Sequence, residues 1–503
     1  MNWHSVAVAS LLVAGAATAK PFRYAEDQAP AIVNPLFTTT MSEARLSELL
    51  FEGLFTDDAD LSTTPALAER FELADDLMSV ELWLRKGVQF HDGHPFSAED
   101  VVFTIEAMKS DQTLSTEAGR VRWIQQAEQL DSHRVRLSFA EPQPHPEDRL
   151  FFKILPAHRF RSTTVKRTDP FRANPIGTGP FMLERYNEDG SISLRRHESY
   201  RKTAGIDAVS MREVSDKKYQ VGLLIYQSLE ALVRVLPRDI ALLDKDRNVE
   251  LYPYQTNSWW YLGFNLERAP YGEPQVRQAI AQLVDVEGLL APVGTGDLLS
   301  GPFVPSSPFY NHEVPRWEHN PEAGAAALEA AGYQRTEEGA WEKGGQPLSL
   351  TIRAHKTVDS AQEVVIALQS QLKAEGVQVR IDFLDEAAWK GAVWGDRDFD
   401  LIVSQWSFDR NEDIREQFHS AGSRNFTGYR NEAVDALLET ARTARDPQDK
   451  KRALRDVHRI VRDDAPMVFL WTLDSYSAMG TSVRDVVIHP FYYFTWAADW
   501  RLQ

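Results

Sequence analysis

The chain has 503 residues and a formal net charge of -18. Its length predicts roughly two to four domains, and its acidity disfavours nucleic acid as a partner because phosphate backbones would be repelled. The chain has no cysteine, which excludes disulfides, thiolate metal sites, a cysteine nucleophile and lipid attachment through an N-terminal cysteine.

Residues 1–19 are predicted to form a signal peptide. The apolar run 6–17 is shorter than the ~20 residues that a membrane-spanning helix needs, and Ala17 and Ala19 give the small-x-small pattern of a signal-peptidase site. A buried first helix is the alternative, because the start carries little positive charge. Since no later segment is long and apolar enough to span a bilayer, the prediction is an exported, unanchored protein held in a periplasmic space.

The first quarter of the chain mixes helices and strands. Residues 42–55 predict a helix with Ser42 as its N-cap, because the leucines fall on one face. Residues 79–90 alternate between apolar and polar side chains, which is typical of a half-buried strand. Ser97 and Asp100 then form a capping box at the start of the next helix. This quarter is therefore α+β in character.

The later elements alternate strand and helix. Asn320 is expected to cap a helix that ends at Gly332. A strand at 348–352, a helix at 360–376 and a strand at 377–383 follow, and this order predicts parallel pairing through a right-handed crossover. The stretch 211–250 has apolar runs with no clean period, so no element is assigned there.

These segments, in this order, resemble the family 5 extracellular solute-binding proteins of ABC transporters, which include dipeptide-, oligopeptide- and nickel-binding proteins. The resemblance runs from about Phe22 to the last strands. The short Gly-acidic-x-Asp turn of the family has no match within 211–250. The resemblance is carried by PALAERFELADDLMSVELWLRKGVQFHDGHPFSAEDVVFTIE, NPIGTGPFMLERY, YLGFNLERAPYGEPQVRQAIAQLVD, NPEAGAAALEAAGY and NFTGYRNEAVDALL.

The resemblance implies an α/β, two-lobed periplasmic binding protein fold of type II with an extra subdomain, mixed sheets and strands that cross the hinge. The apolar segments 259–265 and 467–471 would be those crossings. This agrees with the absence of a flexible linker in the composition. After the signal peptide at 1–19, the implied division is domain I at 20–50, 162–255 and 471–503, domain II at 51–161, and domain III at 256–470.

The resemblance also implies a site for the ligand's amino group. In peptide-binding members an aspartate three residues after a tryptophan pairs with the ammonium, and Trp406 and Asp409 match that spacing. A cation sealed between lobes loses its water, and a charge-assisted bond to a carboxylate then contributes ~1.5–3 kcal/mol. The alternative is a loop aspartate that faces solvent.

A ligand carboxylate would need a cation. The arginine that dipeptide binders use aligns with His355, which lies between Arg353 and Lys356, so the arginine itself is not matched. Solvated side chains are the alternative for these three residues. Oligopeptide binders place an arginine three residues before the tryptophan, where this chain has Val403.

Aromatic and histidine side chains complete the set of candidates. Trp259, Trp260 and Tyr261 begin a crossing strand whose alternation sends the first and third to one face. One face is expected to form an aromatic wall of the cleft, with plain core packing as the alternative. His91 and His94 flank an Asp-Gly turn, and we expect no metal there.

The predicted function is capture of a small ligand, specifically a short peptide, by hinge closure, with delivery to a membrane ABC permease complex. The protein is expected to act as a monomer, without cofactor or metal, and without catalytic residues. The same fold binding an oligosaccharide, opine, nickel chelate or haem is the alternative. A secreted hydrolase would need a catalytic pair in the cleft, and a receptor for a membrane sensor would share the fold.

Overall fold

The computed structural model describes residues 20–59, 61–256, 258–356, 361–407 and 412–503. The predicted signal peptide and Asp409 lie outside the described residues. The helices are α1 (Met41–Leu50), α2 (Ala98–Lys109), α3 (Lys217–Ile225), α4 (Pro237–Leu243), α5 (Pro274–Leu283), α6 (Val286–Leu290), α7 (Pro321–Ala330), α8 (Ala361–Ala374), α9 (Glu386–Lys390), α10 (Arg415–Phe418), α11 (Glu432–Thr443) and α12 (Pro447–Asp464).

The strands are short and numerous. They are β1 (Phe22–Glu26), β2 (Phe55–Asp57), β3 (Thr63–Pro65), β4 (Ala68–Leu73), β5 (Ser79–Leu84), β6 (Ile124–Asp131), β7 (Arg134–Phe139), β8 (Phe181–Tyr186), β9 (Ile192–Arg196), β10 (Ala208–Glu213), β11 (Ala231–Leu232), β12 (Val249–Gln255), β13 (Ser258–Phe264), β14 (Gly296–Leu298), β15 (Gln334–Arg335), β16 (Trp341–Lys343), β17 (Gln346–Pro347), β18 (Ser349–His355), β19 (Gln378–Leu384), β20 (Leu401–Ser407), β21 (Met467–Phe469), β22 (Trp471–Gly480), β23 (Val483–Arg484) and β24 (Arg501–Leu502).

Lobe one is built on a mixed sheet with the order β12-β22-β11-β1-β10-β9-β8. In it β1 runs parallel to β10 and β11, and the other pairs are antiparallel. A second, antiparallel sheet has the order β4-β5-β7-β6, and β5 alternates buried and half-buried residues as its sequence predicts. One apolar cluster joins the two sheets, through Phe22 and Tyr24 of β1 and Leu82 of β5.

Lobe two is built on the sheet β19-β18-β20-β13-β21. The predicted strand–helix–strand unit is present, with β18 parallel to β19 and α8 between them in the chain. Every residue of β13 is buried, because each face of this strand meets a different apolar cluster. Trp260 enters one cluster, and Trp259 and Tyr261 enter the other, as the alternation predicts.

The chain passes between the lobes at two places. β12, which ends at Gln255, lies in the lobe-one sheet and β13, which begins at Ser258, in the lobe-two sheet, so the first crossing falls between these two strands. β21 pairs with β13, whereas β22 pairs with β12, so the second crossing is at Leu470. The predicted segment 467–471 therefore contains the second crossing, whereas the predicted segment 259–265 lies in the lobe-two sheet, directly after the first crossing.

Several local expectations are confirmed, and two are wrong, both in the first helix. The helix predicted at 42–55 ends at Leu50, and β2 begins at Phe55. Asn320 caps α7 by accepting from Ala323 N, and the capping box at the start of α2 is present. The N-cap of α1 is Thr40 and not Ser42, because the Thr40 hydroxyl and the Glu43 carboxylate bond reciprocally to each other's backbone N–H.

The unassigned stretch 211–250 folds into two short helices, α3 and α4, between strands of the lobe-one sheet. These helices have nine and seven residues, too short to establish a helical period against the flanking strands. No helix in the described ranges combines the length and apolar character that crossing a bilayer requires.

Candidate functional site

Two adjoining cavities lie between the lobes. The first, of about 710 Å³, is lined by residues between 116 and 149 from lobe one and between 412 and 454 from lobe two. The second, of about 550 Å³, adds residues at 61–71, 304–309 and 490–491. Both volumes are in the range of small-molecule sites. Because they share four lining residues, they form one cleft. The shared residues are His145, Asp148, Glu412 and Lys450.

The first cavity, here called the charged compartment, is lined by cations from both lobes. Arg120 pairs with Glu117 on the lobe-one wall. Arg149 lies with its guanidinium carbon 4.5 Å from the ring centroid of Trp123. On the opposite wall Arg415 pairs with a glutamate of α11 at 2.8 Å. The charged side chains are thus held in position before any ligand arrives.

Two more cations of the charged compartment lie over aromatic rings. The guanidinium carbon of Arg424 is 5.5 Å from the ring centroid of Trp406, and Lys450 Nζ is 5.3 Å from that of Phe309. Both distances are within the range of cation–π attraction. Neither cation has an ion pair within 4.0 Å among the carboxylates of the described residues.

The second cavity, here called the phenyl compartment, is mostly apolar. Its walls include Phe71, which is 38% exposed, together with Phe309 and Phe491. Buried Glu412 lies where the two compartments meet and accepts a hydrogen bond from Ser307 Oγ. The cleft therefore joins an apolar chamber to a charged one through a polar boundary.

Phe491 is positioned by a buried pair in lobe one. His489 and Asp57 are 0% and 1% exposed, with 2.9 Å between Nε2 and Oδ2. His489 Nδ1 accepts from the main-chain N–H groups of Phe491 and Tyr492, at 3.0 Å each. Nε2 therefore carries the ring proton and donates it to Asp57. This pair fastens the chain segment after β22 to β2, beside the phenyl compartment.

His145 lies at the boundary between the two compartments, and its pKa is shifted. Its Nδ1 lies 3.4 Å from Glu147 Oε1. That hydrogen bond raises the pKa of His145, while burial and the charge of Lys450 act in the opposite direction. A raised pKa extends to higher pH the range in which this boundary carries positive charge.

Contacts also cross the mouth of the cleft. Arg442 of α11 lies 3.4 Å from Glu141 of lobe one. Arg445 donates from Nη2 to the main-chain oxygen of Asp75 at 2.7 Å. Both contacts join lobe two to loops of the smaller sheet in lobe one.

The predicted aromatic residues lie in different surroundings. Trp259, Trp260 and Tyr261 are 0%, 3% and 1% exposed, in the lobe-two core. Trp406 is half-buried, pairs with Trp259 across β13 and β20, and lies beneath Arg424 in the cleft. Their roles in binding stay predictions, as does that of Asp409, which is outside the described residues.

The predicted cationic candidates are at the end of β18. Arg353 pairs with Asp382 and, at 2.7 Å, with Asp398. The ring of His355 lies 6.1 Å from that of Trp389, and Lys356 is exposed. Arg353 thus has carboxylate partners within lobe two, and the proposed role of these three residues in carboxylate capture stays a prediction.

A serine–histidine pair that the sequence does not reveal is present in lobe two. Ser300 Oγ lies 2.9 Å from His458 Nε2, but the residues are 4% and 0% exposed. His458 Nδ1 accepts from Asn311 N at 3.4 Å, so Nε2 carries the proton and donates it. Ser300 Oγ in turn donates to Tyr310 Oη at 3.0 Å. In this tautomer His458 cannot take the serine proton, and the pair is structural.

The two histidines of the sequence HDGH do not converge. His91 accepts from Gly177 N at Nδ1 and lies 3.2 Å from Gly179 O at Nε2. His94 stacks on His158, with ring centroids 3.9 Å apart. Across the residues that the structure describes, no group of three or more His, Asp or Glu side chains is arranged to hold a metal ion.

Two α/β lobes joined by two strand crossings, with a ligand-sized cleft between them, define the class of hinged binding proteins. Residues 62–426 match the family model described as bacterial extracellular solute-binding proteins, family 5. The chain belongs to this family of solute-binding proteins.

Relatives and solved structures agree with this assignment. The oligopeptide-binding protein AppA of Bacillus subtilis is 24% identical over 483 residues, covering 92% of this chain and 88% of its own. The glutathione-binding protein GsiB of Salmonella typhimurium is 25% identical over 510 residues and 96% of each chain. The structure of HbpA2 from Haemophilus parasuis superposes with a TM-score of 0.87 at 20% identity, covering 96% of this chain and all of the other.

Proposed function

We propose that this protein captures a short peptide between its two lobes and presents it to a membrane ABC permease. The cleft is the observation that carries the proposal, because both lobes line it and its charged compartment can hold the ends of a peptide. The names of relatives support a peptide ligand, since they bind oligopeptides and glutathione. Ligand binding would stabilise the closed arrangement of the lobes.

The proposal extends to location and organisation. Removal of residues 1–19 on export would leave a periplasmic monomer without a lipid anchor, cofactor or metal. The hinge would separate a lobe of two subdomains from a lobe of one. Domain I would comprise 20–50, 162–255 and 471–503, domain II 51–161, and domain III 256–470.

The first test is thermal unfolding of residues 20–503 with di- to pentapeptides, sugars and nickel chelates. A ligand at 100 times its dissociation constant stabilises the fold by ~2.7 kcal/mol, which is a visible shift in melting temperature. A shift with peptides alone supports the proposal. A shift with sugars or chelates and none with peptides refutes the peptide while retaining the fold.

A second test concerns Asp409. If its carboxylate pairs with the ligand's ammonium, Asp409→Asn weakens binding of peptides with a free amino terminus and leaves binding of their N-acetylated forms nearly unchanged. The expected loss corresponds to ~1.5–3 kcal/mol, measured by isothermal titration calorimetry. Equal loss for both peptide forms would refute the assignment.

A further inference from the structure

Acidic residues outnumber Lys and Arg in the chain as a whole, but not in the lining of the charged compartment. The whole chain has 73 acidic residues against 55 Lys and Arg. Among the described residues, the lining of this compartment instead has six Lys and Arg against five acidic residues, together with His145. The cations are Arg120, Arg149, Arg415, Arg424, Arg442 and Lys450, and the acids are Glu117, Glu141, Asp148, Glu412 and Asp413.

The acids of this lining already accept hydrogen bonds from the protein. Glu117 and Glu141 pair with arginines of the same lining, and Asp148 accepts from Thr63. Glu412 accepts from Ser307, and Asp413 accepts from a main-chain N–H. Arg424 and Lys450 are not paired with any of these acids, so their N–H donors favour an anionic group.

Arg424 is the cation best placed for that group. Its guanidinium lies over Trp406, so the ring covers one face while the donors at the guanidinium edge remain available. The neighbouring acid Glu416 accepts from the main-chain N–H and hydroxyl of Ser423, at 2.8 and 2.6 Å. The hydroxyl bond is the main cause of the lowered pKa of Glu416, to which the charges of Arg415 and Arg424 add. A guanidinium held flat by an indole is pre-organised to bind a carboxylate through two parallel bonds.

The phenyl compartment offers the opposite chemistry. Phe71, which is 38% exposed, lines this compartment together with Phe309 and Phe491. Exposed aromatic surface inside a concave site gains stability when an apolar group covers it. Lys450, which lines both compartments, lies over Phe309 at their boundary.

We propose that the ligand is an amphipathic short peptide, with a carboxylate bound at Arg424 in the charged compartment and a large apolar side chain in the phenyl compartment. This inference rests on the proposed function and names the substrate class. The carboxylate belongs either to an acidic side chain or to the C-terminus. Since the compartments are contiguous, one short chain reaches both.

The test uses residues 20–503 and the peptides Phe-Ala-Glu, Ala-Ala-Glu, Phe-Ala-Gln and Ala-Ala-Gln, each with a free and an amidated C-terminus, in isothermal titration calorimetry. Phe-Ala-Glu is expected to bind tightest, and loss of phenylalanine is expected to weaken binding about tenfold or more. Loss of the required carboxylate has a similar effect. Weakening by glutamine assigns the acidic side chain, and weakening by amidation assigns the C-terminus.

Variants separate the two compartments. Arg424→Gln is expected to abolish the preference for the carboxylate and to keep the preference for phenylalanine. Phe71→Ser is expected to abolish the preference for phenylalanine and to keep the preference for the carboxylate. Arg424→Lys retains the charge but loses the planar fork, so it recovers part of the preference. Arg430→Gln, an exposed arginine outside both linings, is the matched control.

The outcomes distinguish this inference from the proposed function. The amphipathic ligand is refuted if peptides bind with no preference for the carboxylate or for phenylalanine. It is also refuted if the preference for the carboxylate survives Arg424→Gln. Peptide capture itself remains supported in both cases. If none of the eight peptides binds while a sugar or chelate does, both fall.

Discussion

Replacing His489 with alanine is expected to destabilise lobe one by about 3–5 kcal/mol, because the buried Asp57 carboxylate loses the hydrogen bond that the neutral imidazole donates. Asp57 would stay buried, at 1% exposed. The main-chain N–H groups of Phe491 and Tyr492 would also lose their acceptor. The loss of stability is large because His489 is 0% exposed. Water could take the place of its hydrogen bonds only by entering the core.

The assay is urea unfolding of the ligand-free protein followed by circular dichroism, with the change in free energy taken at constant m-value. The matched control is Arg501→Ala, which removes an ion pair with Asp485 between side chains 67% and 46% exposed. That loss is expected to be small, because water and salt screen an exposed ion pair. Equal, small losses for His489→Ala and Arg501→Ala would refute the reasoning.

Three further outcomes are expected. Burial lowers the pKa of His458 from 6.5 to about 3. The unfolded chain therefore binds this proton at higher pH than the folded chain, and the free energy of unfolding falls by ~1.4 kcal/mol per pH unit as the pH drops through this range. In urea titrations at several pH values, His458→Gln should show a shallower dependence of this free energy on pH. Glu141→Gln removes the cross-cleft pair with Arg442 and should weaken ligand binding at most about fivefold, in low salt only, by calorimetry. Gly177→Ala should reduce the melting temperature sharply, because the new Cβ would lie 1.9 Å from a main-chain oxygen of α1. Gly222→Ala in α3 should raise the melting temperature slightly, because the Cβ there would meet no other atom.

Elements that are specified by local chemistry could be predicted from the sequence. The half-buried strand β5, the caps of α2 and α7 and the βαβ unit each follow from patterns within one segment. The crossing strand β13 was recognisable because burial on both faces requires an unbroken apolar run. The N-cap of α1 was misplaced by two residues because Thr40 and Ser42 are both suitable cap residues, and only the backbone conformation decides between them.

The cleft could not be predicted, because its walls come from distant parts of the chain. Glu141 and Arg442 meet across 301 residues of sequence, and in each segment the charged residues have the pattern of an ordinary solvated surface. The same holds for Arg424, whose position over Trp406 depends on how a loop folds back on β20. The tryptophan was recognised by its resemblance to the family pattern, whereas the arginine above it matched no pattern.

The two strand crossings also affect how lobe two could be handled as a separate molecule. β13 enters lobe two and β21 leaves it, and these strands pair at Tyr261 with Phe469 and at Gly263 with Met467. The ends of residues 258–469 are therefore neighbours, and this segment contains nearly all of two apolar clusters. A gene fragment that encodes it should yield a domain that folds by itself, and a short linker between its ends should permit circular permutation at an exposed loop.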